Sequence, residues 1–552
     1  MKLKSISLFS LTASLLLSFG QANDLETTYY QDQGFKKVAF FAAMGGSSHY
    51  NWVLNICDEL GSRGHNTTFL TAEKVTKFGK PFKHVQTVPI VPDIKYDAKN
   101  VANSETIRSI HPGKLISFVF ELNVKDYKKS YLAIRDYLAE NEVDLALCDH
   151  FAGSCVDAAK AVGIPYIITT TPVSVDGASA PYITVDPDYG SQPTTEFQSL
   201  FSRFYDRYVS SFIFHKHLSP VLKKQMQAKK ELGLPAKMED QSETWKDSLI
   251  LVNNAFGLLP ARPLGPLVEL IGPIMNKQYP PLTDSFKTFL DSHQRVAYIA
   301  FGQTATPSPK DATTILLSLL EGLEQGVLDG FIWSTVNSDD LFPETVKTKS
   351  GKVYHTQDIF AGTYPEIRMV TWSPQMSLLL HPSVRLFVSH AGFGSISESI
   401  FAGKPLLLFP FFGDQPNNAR WLEQNKLGMA FAYDTPSLEI TKKMKLLVED
   451  KDSVYSEHMK RMKAHVQIRS RHSVIRGADL VEEVLYTHRD GVVEHRVSAD
   501  RRMSYIKAHN LDLYALLSLV VTSILSVFGF VAFKLYALAQ PYLRQHNKLK
   551  TQ

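Results

Sequence analysis

Two side chains in the first third of the sequence have the types needed for acid–base chemistry. His49 follows an apolar run at 37–42 and a glycine turn, and Asp149 follows a second apolar run at 143–148. An imidazole with a near-neutral pKa can take a proton from a hydroxyl, and a neighbouring carboxylate fixes its tautomer and stabilises the imidazolium. Taken alone, His49 is equally well a turn residue without a role, and Asp149 a cap of the following helix.

A second group of polar residues lies around a strand-to-helix turn far downstream. An apolar strand predicted over 384–389 ends at His390, and a turn of mostly small residues at 391–395 leads into a helix. Unpaired backbone N–H groups and the positive dipole end at such a helix start bind anions. Ser395 and Glu398 also have the Ser-x-x-Glu spacing of a capping box, so Glu398 could serve the helix instead of a ligand.

The segment from Trp372 to Ala419 closely resembles the signature of the UDP-glycosyltransferases in its residues, order and spacing. Weaker similarity extends over most of the chain. Singly, Trp372 could be a core aromatic and His390 a satisfied core histidine. The resemblance instead implies a nucleotide-sugar site. In it, Trp372 stacks on uracil, Gln375 and Glu398 hold the nucleoside, and His390 and Ser395 contact the diphosphate. The UDP site is completed by Gly392, Gly302 and Thr304, and the sugar hydroxyls are bound by Asp414 and Gln415.

The same resemblance assigns a catalytic pair and shows two departures. His49 matches the catalytic histidine of the family, and Asp149 matches the aspartate that partners it. Gly394 stands where many members carry Asn, and Gln303 stands where the plant pattern has Ser, with Thr304 next to it. Since backbone N–H groups can supply some phosphate contacts, we expect altered affinity at these positions and not lost activity.

Alternating strands and helices must position these residues. Strand–helix–strand patterns at 37–71 and 143–170 predict one parallel α/β domain, and a series from 296 to 410 predicts a second. Ligands of such sheets bind at the carboxyl ends of the strands. With the resemblance, this predicts an α/β protein of the GT-B type, whose two Rossmann-like domains face a cleft. The predicted organisation is a signal peptide at 1–22, an acceptor-binding domain at 23–262, a Pro- and Gly-rich linker at 263–290, a UDP-sugar-binding domain at 291–490, a juxtamembrane segment at 491–512, a transmembrane helix at 513–533 and a cytoplasmic tail at 534–552.

The two ends of the sequence predict a membrane-anchored, translocated protein. Residues 1–22 have a charged start, a short apolar middle and small residues at the end, as secretory signal peptides do. Residues 513–533 hold no charge and are long enough to span a bilayer. Lys548 and Lys550 resemble a dilysine retrieval signal, although a basic tail near anionic lipid is the alternative. We therefore expect a single-pass protein of the endoplasmic reticulum membrane, with luminal catalytic domains and a short cytoplasmic tail.

Composition excludes several other classes. The 552 residues carry a net charge of +4, which gives no reason to propose nucleic acid as a partner. No dinucleotide fingerprint or P-loop supports dehydrogenase or kinase chemistry. Cys57, Cys148 and Cys155 form no disulfide framework or zinc spacing, and we interpret them as buried apolar residues. We expect no metal or cofactor besides the UDP-sugar co-substrate. A homo-oligomer remains open.

These features predict an inverting transferase that moves glucose from UDP-glucose to a phenolic or sterol-like acceptor. Gln415 is compatible with glucose, and no cation for a uronic acid can be placed from the sequence. The acceptor pocket is expected within 90–220, where apolar stretches occur at 115–122, 201–208 and 212–214. The alternatives are a glucuronosyltransferase, a sterol or sphingolipid glucosyltransferase, and a catalytically silent scaffold that binds a nucleotide sugar or lipid. We interpret His65 as structural and expect the Asn66 glycosylation sequon to be unused, because it lies at a probable buried strand.

Overall fold

The computed structural model describes residues 33–43, 45–93, 107, 110–183, 192–237, 244–336 and 341–549. The predicted signal peptide and Lys550 lie outside these residues. Residues up to Glu494 form one compact unit, and residues from His495 form a second. Each unit is described by itself.

The first sheet of the larger unit has seven parallel strands in the order β3-β2-β1-β4-β5-β6-β7. Its central strands are buried on both faces, and this explains why their sequences are continuous apolar runs. All five residues of β4, for example, are buried. The strands are β1 Lys37–Phe41, β2 Asn66–Ala72, β3 Val85–Val91, β4 Leu145–Asp149, β5 Tyr166–Thr170, β6 Ile250–Val252 and β7 Val268–Leu270.

Helices pack on both faces of this sheet and bury two apolar clusters against it. The helix after β4 ends at Gly163, whose φ of +83° is a left-handed conformation that glycine adopts without a steric cost. The helices are α1 Ser47–Ser62, α2 Pro112–Lys125, α3 Tyr127–Glu140, α4 Gly153–Val162, α5 Leu200–Phe204 and α6 Ser211–Glu231, and a π-helical turn at Tyr205–Ser210 joins the last two.

The second sheet has six parallel strands in the order β12-β9-β8-β13-β14-β15, and a two-stranded antiparallel pair, β10–β11, stands apart from it. The strands are β8 Val296–Ala300, β9 Gly330–Ser334, β10 Thr345–Lys347, β11 Val353–His355, β12 Ile367–Val370, β13 Val384–Ser389, β14 Leu406–Leu408 and β15 Gly428–Ala430. The helices are α7 Asp284–Asp291, α8 Pro309–Glu324, α9 Thr356–Phe360, α10 Gln375–Leu380, α11 Phe393–Ala402, α12 Gln415–Gln424, α13 Ser437–Glu449, α14 Val454–Ser470 and α15 Ser473–Thr487. The predicted fold, two α/β domains with parallel sheets, is confirmed.

The connection between the two domains is shorter than the predicted linker at 263–290. Strand β7 pairs with β6 in the first sheet, and α7 buries Phe289 and Leu290 in the core of the second domain. The connecting segment therefore runs only over 271–283. Proline and glycine mark loops in general, and several of those in this region lie in the loop between β6 and β7.

The boundary predicted for the second domain at residue 490 is also wrong, because α15 returns to the first domain. Val474, Ala478 and Val481 of this helix are buried in the same apolar cluster as Ile56 of α1. A polar contact accompanies this packing, since His65 Nε2 lies 3.0 Å from Glu482 Oε1. This bond confirms a structural role for His65. A periodicity pattern shows that a helix is amphipathic but not which sheet its apolar face covers.

The interpretation of the cysteines is correct for one and wrong for two. Cys57 is buried and free, whereas Cys148 and Cys155 form a disulfide. One ends β4 and the other begins α4, so the tight turn between the two elements brings their Cα atoms to 5.8 Å. That spacing lies within the range a disulfide requires. A seven-residue separation in sequence does not reveal this proximity unless the turn is known.

The sequon at Asn66 is only partly buried, contrary to expectation. Thr67 and Thr68 are buried in β2, but Asn66 is the exposed first residue of that strand. The side chain that would carry a glycan is therefore accessible in the folded protein.

The second unit contains α16, Tyr505–Ala508, and the long helix α17, Leu511–Leu549. Residues Leu511–Pro541 of α17 are long and apolar enough to cross a membrane, judged by length and composition. The predicted transmembrane span at 513–533 lies inside this segment.

Candidate active site

A cleft of about 1750 Å³ lies between the two domains of the larger unit. It is lined by residues at the carboxyl ends of strands from both sheets, which is where ligands of parallel sheets bind. Every site residue predicted from the sequence lines this cleft: His49, Asp149, Gly302, Thr304, Trp372, Gln375, His390, Gly392, Ser395, Glu398, Asp414 and Gln415.

The structure brings His49 and Asp149 together although they are a hundred residues apart in sequence. Strands β1 and β4 are neighbours with Phe41 opposite Cys148, so the segments that follow them leave the same edge of the sheet. His49 lies in the first turn of α1, and its Nδ1 is 2.9 Å from Asp149 Oδ2. With Nδ1 bound to the carboxylate, Nε2 is the nitrogen available to a ligand in the cleft.

Glycine at position 45 is required by this arrangement. Gly45 has a φ of +110°, and a Cβ atom there would lie 2.3 Å from Cδ2 of His49. The turn before α1 can therefore bring the imidazole toward the sheet only because residue 45 has no side chain.

The charges of the pair shift both pKa values. Burial lowers the pKa of His49, but the charge and hydrogen bond of Asp149 outweigh it, so the net pKa is raised above 6.5. Burial raises the pKa of Asp149, but the nearby imidazoles His150 and His49 outweigh it and hold that pKa well below its usual range. Asp149 is consequently a carboxylate across the working pH range, and the pKa of His49 lies above its ordinary value.

His150 is a site residue that the sequence analysis missed. Its Nδ1 lies 3.4 Å from Asp149 Oδ2, and its ring stacks on that of His49 with centroids 5.3 Å apart. The ligand atoms of His49, Asp149 and His150 all lie within 4.8 Å of one another, a grouping that could hold a metal ion. The adjacency of a histidine to Asp149 is visible in the sequence, but only the strand register shows that both imidazoles face one carboxylate.

On the opposite wall, glycines enclose the imidazole of His390. A Cβ atom at Gly392 would lie 2.3 Å from His390 Nε2, and one at Gly302 would lie 3.0 Å from the same ring. Between the histidine and α11, Ala391 has a φ of +64°, which is a strained conformation for a residue with a Cβ. Sites of this kind of strain cluster where a turn must present groups to a ligand.

The Nδ1 atom of the half-buried His390 lies inside the protein and lacks the partner that a structural histidine would have. Its Nδ1 has no hydrogen-bond partner among the described residues, which contradicts the satisfied-core alternative. Burial lowers its pKa to about 4, so the ring is neutral at pH 7. A neutral imidazole beside the N-terminus of α11 can donate one hydrogen bond to an anion.

The capping-box alternative for Ser395 and Glu398 is wrong. Helix α11 begins at Phe393 with Gly392 as its N-cap, three residues earlier than that spacing requires. Gln375 Nε2 instead donates to Glu398 Oε2 at 2.6 Å and to Ser395 Oγ at 3.2 Å. Burial raises the pKa of Glu398 to about 7, partly opposed by this bond from Gln375.

Two further side chains of the second domain line the cleft. Trp372 is 60% exposed at the cleft wall, so the core-aromatic alternative is wrong. Asp414 precedes α12 and accepts a 2.8 Å hydrogen bond from Asn418 Nδ2. Burial raises the pKa of Asp414, although the charges of His49 and His150 across the cleft oppose this increase. The donor-side carboxyl group and the imidazoles of the first domain therefore face a common volume.

The remaining predicted positions have distinct local roles. Gln415 Oε1 accepts hydrogen bonds from the backbone of Phe411 and Phe412, so its amide nitrogen is the group left to contact a ligand. Gln303 lines the cleft and reaches within 3.3 Å of the Cβ position of Gly46 in the first domain. A side chain at Gly394 would meet nothing within 4 Å, so the position opens directly into the cleft.

Apolar residues of α2 within 115–122 and Phe214 of α6 line the first-domain half of the cleft, where the acceptor pocket was expected. The expectation for 201–208 is largely wrong. Tyr205, Asp206 and Arg207 line the cleft, but Phe201 is 77% exposed and Phe204 and Tyr208 are exposed as well. Aromatic composition alone could not distinguish the face of this segment that lines a cavity from the face that leaves it.

Comparison with known proteins decides the family. A sequence model described as "UDP-glucoronosyl and UDP-glucosyl transferase" matches residues 38–545. The chain belongs to this family. Like the other members it is a transferase, and its substrate class is a UDP-sugar with a glucosyl or glucuronosyl type of group.

Relatives of this UDP-glycosyltransferase include proteins from fungi and animals. A "UDP-glycosyltransferase" of Talaromyces amestolkiae is 27% identical over 495 residues, which cover 84% of this chain and 90% of the relative. "UDP-glucuronosyltransferase 2B9" of Macaca fascicularis is 23% identical over 526 residues, covering 90% of this chain and 93% of the relative. The apolar helix and the glucuronosyltransferase relatives together suggest membrane anchoring.

Solved structures share the fold of the UDP-glycosyltransferase. A UDP-glucosyltransferase from Polygonum tinctorium capable of glucosylating indoxyl superimposes with a TM-score of 0.55 at 18% identity, covering 83% of this chain and 99% of that one. The glycotransferase of kitacinnamycin superimposes with a TM-score of 0.58 at 17% identity, covering 81% of this chain and 98% of that one. These neighbours have the GT-B architecture that was predicted.

The glycines around His390 provide a steric test of the donor site. We expect Gly392→Ala to weaken UDP binding about tenfold, equivalent to about 1.4 kcal/mol, because its Cβ would displace the His390 ring. Gly394→Ala is the matched control, since its Cβ meets nothing within 4 Å, and its affinity should stay within about twofold. Calorimetric titration of the full-length chain with UDP measures both. Equal affinities for the two variants would contradict the role given to the enclosed ring.

Proposed function

We propose that the chain is an inverting transferase that moves glucose from UDP-glucose to a hydroxyl of a small lipophilic acceptor, phenolic or sterol-like. The observation that carries this proposal is the 2.9 Å contact between His49 and Asp149 in the cleft that also contains Asp414 and His390. A catalytically silent scaffold would not need a buried carboxylate aligned with an imidazole opposite a nucleotide-sugar site.

In the proposed reaction, His49 is the general base. Its Nε2 takes the proton of the acceptor hydroxyl while the acceptor oxygen forms a bond to the anomeric carbon. The bond from that carbon to the diphosphate oxygen breaks in the same displacement, and UDP leaves with the bonding electrons. Asp149 holds Nδ1 of His49 and stabilises the imidazolium that forms. The single displacement inverts the anomeric centre through an oxocarbenium-like transition state.

We propose that the second domain stabilises the leaving diphosphate without a divalent metal. The N-terminal amides of α11, the neutral ring of His390 and the hydroxyl of Ser395 are donors aimed into the same part of the cleft. The backbone at Gly392, Gly302 and Thr304 adds further amide groups. These donors carry the negative charge that develops on UDP.

Residues on the same wall of the cleft provide the proposed contacts to the nucleoside and to the sugar. Exposed Trp372 provides a flat surface on which uracil can stack, and Glu398 with Gln375 can bond the ribose hydroxyls. Bound hydroxyl donors would favour the ionised form of Glu398 and lower its pKa from about 7. Asp414 and the amide nitrogen of Gln415 are placed to contact the transferred sugar.

A specific observation supports a second candidate, transfer of glucuronic acid. Arg420 lines the cleft from α12, and its Nη1 lies 3.0 Å from Asn417 Oδ1 in the helix that Asp414 and Gln415 begin. Arg420 therefore supplies a cation in the same cleft and on the same helix as the residues proposed to bind the sugar. A uronic carboxylate could pair with it.

We also propose the location expected from the sequence, the endoplasmic reticulum membrane with the larger unit in the lumen. The apolar helix supports anchoring, whereas the signal peptide lies outside the described residues.

The choice of donor is tested by a product screen on membranes that contain the protein. With UDP-glucose and UDP-glucuronic acid offered beside mixed phenols and sterols, we expect masses of glucosides. Arg420→Met should leave the KM for UDP-glucose within about twofold. Glucuronides that disappear in Arg420→Met would instead establish the second candidate, and absence of acceptor-dependent UDP release with every donor would support the silent scaffold.

The contact between His49 and Asp149 predicts how the rate of transfer depends on pH. The base must be unprotonated, so kcat/KM should fall as the pH drops through the His49 pKa, which Asp149 holds above 6.5. Asp149→Asn removes the group that raises this pKa while burial still lowers it. Its acid limb should therefore move to lower pH, and its kcat should fall roughly 100-fold or more. A pH–rate profile measures both effects.

His49→Ala is the control for this profile. It should lack the acid limb altogether and retain only residual transfer, while its UDP affinity stays near that of the wild type. Near-normal transfer by a folded His49→Ala protein would exclude the proposed mechanism.

Topology is tested at Asn66, whose exposed side chain begins β2. If the larger unit is luminal, we expect a glycan at this position in eukaryotic cells, seen as a mobility shift that a peptide N-glycosidase reverses and that Asn66→Gln abolishes. An unshifted protein that is also digested by protease added to sealed microsomes would place this unit on the cytoplasmic side.

A further inference from the structure

A group of exposed apolar side chains on the first domain, within residues 197–212, is unexplained by the chemistry above. It consists of six side chains, which we call the aromatic patch. Their exposed fractions are Phe197 73%, Leu200 76%, Phe201 77%, Phe204 56%, Tyr208 62% and Phe212 71%. Together they expose on the order of 800 Å² of apolar surface, given about 150–250 Å² for each aromatic side chain. Monomeric proteins seldom expose a contiguous apolar area larger than a few hundred Å² without a binding role.

The helix geometry keeps the patch on one face. Positions 204, 208 and 212 are spaced by four, and in a pure α-helix such positions drift by about 40° at each step. The π-helical turn Tyr205–Ser210 is wider than an α-turn and compensates for this drift. The rings of Phe204 and Tyr208 are accordingly adjacent, with centroids 5.1 Å apart.

The opposite face of the same segment belongs to the protein interior. Asp206 is buried and accepts a 2.8 Å hydrogen bond from Gln198 Nε2. Tyr205, Ser211 and Phe214 line the acceptor half of the cleft. The segment is thus a single wall between the acceptor site and the outside, with a rigid inner face and an aromatic outer face.

Charges among the exposed rings indicate what the patch contacts. Arg203 and Lys216 are exposed within or beside it, whereas Glu196 is the exposed acidic residue of the described stretch 192–217. Aromatic side chains interspersed with arginine and lysine are the composition of helices that lie in the interface of an anionic bilayer. The chain also carries a helix with the length and composition of a membrane span, so the protein would be made beside such a surface.

We propose that the aromatic patch is an interfacial docking surface that seats the first domain on the anionic headgroups of a lipid bilayer. The rings enter the boundary between headgroups and acyl chains, and the basic residues pair with lipid phosphates. Because the inner face of the same wall lines the acceptor half of the cleft, docking brings that half next to the phase in which lipophilic acceptors concentrate. This last step depends on the proposed function, whereas the docking itself does not.

Docking is tested with the full-length chain in nanodiscs that hold one chain each. Phe204→Cys is labelled with an environment-sensitive nitrobenzoxadiazole dye. The native cysteines do not compete for the label, since Cys57 is buried and the other two form a disulfide. The matched control is Leu446→Cys on α13 of the second domain, because Leu446 has the same exposed fraction as Phe204, 56%.

In discs with phosphatidylserine and doxyl-labelled phosphatidylcholine, we expect the dye at 204 to be blue-shifted and quenched several-fold more than the dye at 446. Quenching at 204 should fall when phosphatidylserine is omitted or salt is raised, because the Debye length shortens. Equal quenching at the two positions would overturn the proposal. A blue shift at 204 that appears only when two chains share a disc, without doxyl quenching, would assign the patch to a second copy and overturn it too.

A kinetic experiment separates docking from chemistry. The variant F201S/F204S/Y208S should raise the KM for a membrane-partitioning acceptor about tenfold and leave kcat and the KM for a water-soluble acceptor within about twofold. Loss of activity toward both acceptors would indicate a misfolded variant, and the dye-quenching experiment would then decide whether the patch docks on the bilayer. If the wild type transfers sugar to neither acceptor while the dye at 204 is quenched, the proposed function fails and the docking surface stands.

Discussion

The site depends on the parallel pairing of β1 with β4. Their register places Phe41 opposite Cys148, and every later feature of the first domain's chemistry uses the edge that this pairing creates. The glycine turn that follows β1 at this edge brings His49 toward the sheet. Asp149 is the last residue of β4, and its Oδ1 accepts a hydrogen bond from the Phe151 amide while its Oδ2 faces two imidazoles. A one-residue shift would reverse the face on which each side chain lies, so the register is fixed by the sheet's two buried faces.

Two histidines in one cleft are driven to opposite protonation behaviour by their neighbours alone. His49 has a carboxylate partner that outweighs the cost of burying its charge, so its pKa rises. His390 is half-buried among glycines without such a partner, and desolvation lowers its pKa to about 4. One imidazole is thereby suited to accept a proton and the other to remain a neutral donor. The two domains thus use histidine in different protonation states, and the electrostatic surroundings of each imidazole set that difference.

The sequence was sufficient for the strands that lead to the site residues, such as β1, β4, β8 and β13, because buried parallel strands are continuous apolar runs. It did not reveal β3, β6, β7 or β15, which are short or lie at a sheet edge. It failed where long-range placement decides. The return of α15 to Ile56 and the stacking of His150 on His49 arise from contacts between distant segments, and the pairing of Cys148 with Cys155 depends on the geometry of the tight turn between β4 and α4. The start of α11 at Phe393 shows that a capping motif in the sequence does not by itself locate the start of a helix, because the Ser-x-x-Glu spacing was present but the helix began earlier. Composition also marked the aromatics of 201–208 without revealing that most of them face outward.

The return of α15 has a consequence for how the protein is made. The first domain's core stays open on one side until residues 473–487 have been synthesised, although its own strands were completed two hundred residues earlier. During that interval the apolar surface around Ile56 is either exposed to solvent or covered by a group other than α15. It follows that the two domains are not independent modules, and an exchange of domains between relatives would have to move this helix with the N-terminal half or leave a gap in its core.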